Sequence, residues 1–117
     1  MNAVELAQKR CQPCEGIGKA LSQEQASEYL KTVDHWQFDK TGKGIFREYA
    51  MKNFMAAVHL INKIAEVAES ENHHPDLHLA GYRKLKVELS THALGGLSEN
   101  DFILAAKINQ LPAELKG

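Results

Sequence analysis

Apolar residues change their period along this chain, and the changes divide it into elements. Ala26, Tyr29, Leu30 and Val33 recur at helical spacing. Ser22, with Gln25 three residues on, is a capping box in which each side chain satisfies the other's backbone donor. A helix is therefore predicted from Ser22 and closed by Asp34 and His35. Trp36 and Phe38 then alternate with Gln37 and Asp39, and Ile45, Arg47 and Tyr49 alternate with Phe46, Glu48 and Ala50, the period of half-buried strands. Lys40-Thr41-Gly42-Lys43-Gly44 between them is turn chemistry, so the pair reads as a hairpin. Residues 52–70 return to the helical period: Phe54, Val58, Ile61, Ala65 and Ala68 step by four and three, with Met55, Ile64 and Val67 widening the stripe. Asp76 to Ala80 reads as a third strand, Gly81 to Lys84 as a turn, and Lys84 to Thr91 as a fourth strand, in which Leu85, Val87 and Leu89 alternate with Lys86 and Glu88. After a loop with Gly95 and Gly96, Ser98 and Asp101 open a last helix carrying Phe102, Ala105, Ala106 and Ile108, bounded by Pro112.

Two hairpins with helices between them imply an α+β, two-layer domain: a four-stranded antiparallel sheet with helices packed on one face. That domain is expected to span residues 21–117. Residues 1–20, with Pro13, Gly16 and Gly18, read as an extended or loosely packed N-terminal arm carrying the C-x-x-C pair Cys11 and Cys14. One such pair is half of a zinc site or a redox dithiol, and no second pair or βαβ pattern flanks it. A chain of 117 residues with 44% apolar and 25% charged residues can bury a core of its own. A formal net charge of −1 argues against a broad basic face for nucleic acid. No apolar run approaches the roughly 18 residues of a membrane span. The first residues lack the charged start and apolar core of a secretory signal, so the cytoplasm is the expected location.

Candidate chemistry concentrates between Glu69 and Asp101, which hold four of the six histidines: His73, His74, His78 and His92. Pro75 disfavours helical dihedrals at His74, so the chain leaves the helix there and turns extended. A β-turn centred between Tyr82 and Arg83 would set His73 level with His92. Histidine suits both giving and taking a proton near neutral pH, and two of them flanking a small molecule make an acid/base pair. Glu69, four residues before His73, is placed to hydrogen-bond an imidazole. Glu66, Glu69 and Glu71 oppose the helix dipole at this end, either as plain surface charge or because they face a cation, with His73 and His74 the nearest candidates. Asp101 falls at the third position of the box begun by Ser98, so a capping role accounts for it on spacing alone. Metal binding is a rival use of imidazoles, but the H-E-x-x-H spacing is absent, and adjacent His73 and His74 diverge if extended. Surface histidines on a small scaffold are the plain alternative.

Glu69-x-x-x-His73-His74-Pro75, followed by Tyr82, His92 and Asp101, resembles the signature of the pterin-4a-carbinolamine dehydratase family, and the order of elements from about Ser22 to Leu111 matches as well. The C-x-x-C arm resembles the N-terminal extension of some bacterial members. The resemblance implies dehydration of 4a-hydroxytetrahydrobiopterin or a related 4a-hydroxytetrahydropterin to the quinonoid dihydropterin, without metal or organic cofactor. It implies His73 and His92 as the acid/base pair and His74 as a positioning and auxiliary group. Glu69 would orient His73, with Pro75, Tyr82 and Asp101 supporting the site. It also implies a homodimer or homotetramer and an aromatic amino acid hydroxylase as a functional partner. A non-catalytic role, as a dimerisation or regulatory partner of a hydroxylase or a transcription factor, is the alternative. Leu77 stands where the family often has an aromatic side chain, and His78 has no matching motif position.

Overall fold

The computed structural model describes residues 2–117, with the backbone alone at positions 14 and 15. The elements are α1 (Ala3–Gln8), a single turn α2 (Cys14–Ile17), α3 (Gln23–Leu30), β1 (Gln37–Phe38), β2 (Ile45–Ala50), α4 (Phe54–Glu71), β3 (Asp76–Ala80), β4 (Lys84–Leu89) and α5 (Glu99–Asn109). The four strands form one antiparallel sheet in the order β1-β2-β4-β3, the α+β arrangement expected from the pattern. The two hairpins meet through β2 and β4, with Ile45 opposite Leu89 and Tyr49 opposite Leu85. Those four side chains and Val87 are buried on the inner face of the sheet. Helix α5 has little amphipathic period because it is buried nearly all round, from Phe102 to Ala106 and again at Ile108, and it touches α1, α3 and α4.

The β3–β4 register differs by one residue from the expected one. Ala80 pairs with Lys84, so the turn centres on Tyr82, and Gly81 and Tyr82 both take positive φ, 54° and 56°. Carried past the strand ends, this register sets His73 opposite Thr91, the residue before His92.

Helix α4 buries a different face from the predicted stripe. Ala56, Ala57, Leu60, Ile64 and Ala68 are buried, whereas Phe54 and Met55 are 49% and 54% exposed and Ala65 faces solvent. Val58, Ile61 and Val67 lie at the margin. The helix is apolar around much of its circumference, so period alone does not choose the face, and three of the five buried apolar residues are alanines.

The first half of the expected loose arm is also different. The Asn2 side chain accepts the Glu5 amide at 2.9 Å, and the Glu5 carboxylate accepts the Asn2 amide at 3.2 Å, a capping box that starts α1. Leu6 and Ala7 are buried in the core, and Lys107 Nζ donates to the Ala7 carbonyl at 2.7 Å. Six helical residues are too few for a period to register in the sequence. No helix among the described residues is long and apolar enough to cross a membrane.

Leu6→Ala should therefore cost about 2–5 kcal/mol of stability in urea unfolding, the range for a fully buried leucine. A loosely packed arm would make the substitution undetectable.

Candidate functional site

Asp101 and His73 form the centre of the site, and local backbone chemistry puts each in place. Helix α4 ends in a Schellman motif. Asn72 adopts the left-handed conformation that asparagine tolerates (φ 52°), its amide bonds to the Glu69 carbonyl, and the His73 amide bonds to the Ala68 carbonyl, each at 3.2 Å. The last turn thereby fixes the backbone of His73. Pro75 then commits the chain to β3. On the other side, Asp101 sits in the first turn of α5 and accepts the Ser98 amide at Oδ2, 3.0 Å.

His73 Nε2 lies 2.6 Å from Asp101 Oδ1. Asp101 is completely buried, and the His73 side chain is 10% exposed. An ionised carboxylate only accepts, so Nε2 carries the proton and Nδ1 of the neutral ring keeps its lone pair. The Thr91 hydroxyl donates to Asp101 Oδ2 at 2.8 Å. Thr91 Oγ1 is also 2.8 Å from Ser98 Oγ, so the Ser98 hydroxyl must donate to Thr91. Three donors thus satisfy one buried carboxylate, which is what a buried charge requires. The capping role anticipated for Asp101 is real, and the same side chain also holds His73.

Glu69 does not orient His73. The turn at Asn72 sends His73 inward toward α5 and His74 outward, so Glu69 Oε1 meets His74 Nε2 at 2.8 Å instead. This second pair is open to water: the His74 and Glu69 side chains are 56% and 82% exposed. His92 is exposed at the start of a 3₁₀ turn, His92–Leu94, held closed by the Thr91 and Gly96 backbones. It lines a cavity of about 290 Å³ together with Thr91, Asp39, Thr41 and Lys43, and His73 is not part of that lining. The link between the two histidines is Thr91, adjacent to one in sequence and sharing the carboxylate of the other.

Tyr82 is not brought to this place. It tops the β3–β4 turn, 58% exposed, with the Arg83 guanidinium 5.5 Å from its ring centre. Six residues of extended chain separate it from the start of β3, roughly 20 Å. His78 pairs with Glu88 at 2.5 Å and lines a larger hollow of about 600 Å³ on the outer face of the sheet, away from the other histidines. Among the described residues no group of three or more His, Cys, Asp or Glu side chains is disposed to hold a metal ion. The C-x-x-C reading falls partly on Cys14, whose side chain lies outside the described part. Cys11 is half-buried beside Glu71, and burial first, then that carboxylate, pushes its thiol up to about 12.

Three contributors have roles that the sequence did not assign. Thr91 has no motif to flag it. Asp39 walls the His92 cavity; burial works to raise its pKa, but the Thr41 hydroxyl and the Thr41, Gly42 and Gly44 amides hold it below the ordinary carboxylate value. Its Asp-x-Thr turn, with the Thr41 amide and hydroxyl on Oδ1 at 2.9 and 2.6 Å, is a readable signal. The third is Glu71, buried at the end of α4. Among the three acids there, its cationic neighbours are Arg10, 3.0 Å away, and Lys107, 3.8 Å away, and not the histidines.

The pterin 4 alpha carbinolamine dehydratase family model matches residues 19–111. The chain belongs to that family. A Nitrosospira multiformis protein that carries the family's name provisionally is 46% identical over 92% of this chain and 92% of its own length. The mitochondrial pterin-4-alpha-carbinolamine dehydratase 2 of Arabidopsis thaliana is 42% identical over 94% of this chain, which spans 60% of that longer protein. Among solved structures, a transcriptional coactivator/pterin dehydratase from Brucella melitensis superposes with a TM-score of 0.73 at 31% identity, over 78% of this chain and 96% of that one. The dehydratase family model begins at residue 19, so α1 and the segment after it lie outside the matched region.

Glu71 generates a prediction about acid stability. Burial works to raise its pKa, but the Cys11 amide, Lys107 and Arg10 outweigh this and hold it below the usual glutamate value. A folded-state pKa below the unfolded one contributes stability that is complete above about pH 4.3 and is lost as pH falls through the folded value. Denaturant unfolding on the acid side should show this loss, and Glu71→Gln should make the same curve shallower while lowering stability at neutral pH. An unaltered acid slope in Glu71→Gln would contradict the assignment.

Proposed function

We propose that this chain dehydrates a 4a-hydroxytetrahydropterin, with 4a-hydroxytetrahydrobiopterin as the reference substrate, to the quinonoid dihydropterin and water. The observation that carries the reading is the His73–Asp101 bond, which fixes one imidazole tautomer and offers its Nδ1 as a base. The reaction removes hydroxide from carbon 4a and a proton from N5, so one group must protonate the departing oxygen and another must take the N5 proton. His73 and His92 are the acid/base pair, and His74, braced by Glu69, positions the substrate and assists. The buried Asp101 stabilises His73 when it becomes charged, as buried carboxylates do behind other imidazole bases. All of the proton transfers are made by side chains of this chain. Asp39 and Lys43 bring both signs of charge to the cavity beside His92, suited to a polar heterocycle. The product belongs to the recycling of tetrahydropterin after aromatic amino acid hydroxylation, in the cytoplasm, by a homodimer or homotetramer.

A second reading is a regulatory partner without catalysis. Two observations favour it: the Brucella melitensis neighbour is named as a transcriptional coactivator as well as a pterin dehydratase, and Phe54 and Met55 are exposed at the start of α4.

Stopped-flow measurement of carbinolamine decay separates the two. The purified protein should accelerate decay, and His73→Ala and His92→Ala should each slow it by about 10²–10⁴-fold. Variants as fast as the parent, or a parent no faster than buffer, would overturn the catalytic reading.

A further inference from the structure

Four consecutive residues ahead of the family-matched region grip the two helix ends beside which the His73–Asp101 pair is held. Lys9 Nζ bonds Glu99 Oε2 at 2.9 Å. Arg10 Nε meets Glu71 Oε2 at 3.0 Å, and its Nη2 donates to the Ser70 carbonyl at 3.3 Å. The Cys11 amide donates to Glu71 Oε1 at 2.8 Å. The Gln12 amide donates to Asn100 Oδ1 at 2.9 Å, and Asn100 Nδ2 returns a bond to the Gln12 carbonyl at 2.7 Å. Glu71 stands two residues before His73, and Asn100 immediately precedes Asp101.

The physical consequence follows from where these anchors lie. Glu71 and Asn100 are only 9% and 3% exposed, so their bonds are made away from water, where losing a partner costs the full desolvation of the group left behind. A glutamate at the C-terminus of α4 also opposes the helix dipole, and Arg10 and Lys107 offset that repulsion. The His73–Asp101 bond joins the end of α4 to the start of α5, and at 2.6 Å it tolerates little change in their separation. A segment fastened to both ends at once is placed to hold that separation.

We propose that Lys9–Gln12 is a positioning strap that holds the ends of α4 and α5, through Glu71 and Asn100, at the spacing the His73–Asp101 bond requires. No strap residue needs to touch substrate. Its effect on turnover rests on the dehydratase reading, whereas its effect on the bond does not.

The test uses the full chain with Asn100→Ala and, separately, Arg10→Ala, whose side chain is 74% exposed and is not part of the apolar core. Two readouts are needed: kcat and KM for carbinolamine dehydration, and the downfield imidazole N–H proton signal that a short His73–Asp101 bond produces in NMR, assigned by its loss in His73→Gln. Asn100→Ala should lower kcat about ten-fold, since small misplacements of reacting groups cost rate, with KM changed less than about two-fold, and should weaken the N–H signal. Arg10→Ala should lower kcat about three-fold with the same direction of change in the signal. Variants that lose thermal stability but keep parental kcat and signal would make the segment merely structural and overturn the proposal, as would a parent without the signal. If Asn100→Ala does not fold, Arg10→Ala decides. If the parent shows no dehydration, the functional reading fails, and the strap then stands or falls on the NMR signal alone.

Discussion

The Asp101 carboxylate is wholly buried and accepts three hydrogen bonds, from His73 after α4, Thr91 after β4 and Ser98 ahead of α5. A buried charge that lost one such partner would cost several kcal/mol, so these three stretches of chain are bound to a single point. The carboxylate is at once a helix cap, a tie for the loop after the sheet, and the partner that sets the tautomer of an imidazole. A structural need and a chemical one coincide in one side chain. Asparagine or alanine there would disturb both.

Around that point the histidines grade from inside to outside. His73 is nearly enclosed, His74 is half in water with an exposed carboxylate partner, and His92 stands at the rim of a cavity that also carries Asp39 and Lys43. The proposed dehydration rests on this gradation, with the enclosed imidazole of defined tautomer taken as the base. The sheet contributes the platform: β3 begins three residues after His73 and β4 ends two residues before Thr91, whose hydroxyl reaches the shared carboxylate.

How much of this is legible in the sequence depends on the length over which a signal can accumulate. The strands, the Ser22 cap and the α4 span are all readable because alternation, capping spacing and a long apolar run each repeat or pair locally. The histidine motif is readable as a motif. The difference in the buried face of α4 has a physical cause: the apolar arc of the helix is wider than the face that is buried, and the period does not say which part of that arc is covered. Helix α1 escapes the pattern because six residues cannot display a period, and its stability comes from Leu6 packing into a core shared with α5, far away in sequence. The partner of His73 differs from the expected one for a related reason. Spacing by four favours Glu69 on an ideal helix, but the left-handed turn at Asn72 breaks that geometry before His73 is reached. Partnerships that cross the fold, such as Glu71 with Arg10 or Asp101 with Thr91, have no sequence signature at all.

The most direct test of the shared carboxylate is a double-mutant cycle on the dehydration rate, comparing His73→Ala, Asp101→Asn and the two combined. If Asp101 acts on the reaction by holding His73, the double variant should be no slower than His73→Ala alone, because the carboxylate has nothing left to hold. If the two losses multiply, Asp101 acts on substrate independently of His73, and its role as the partner that sets the base is wrong.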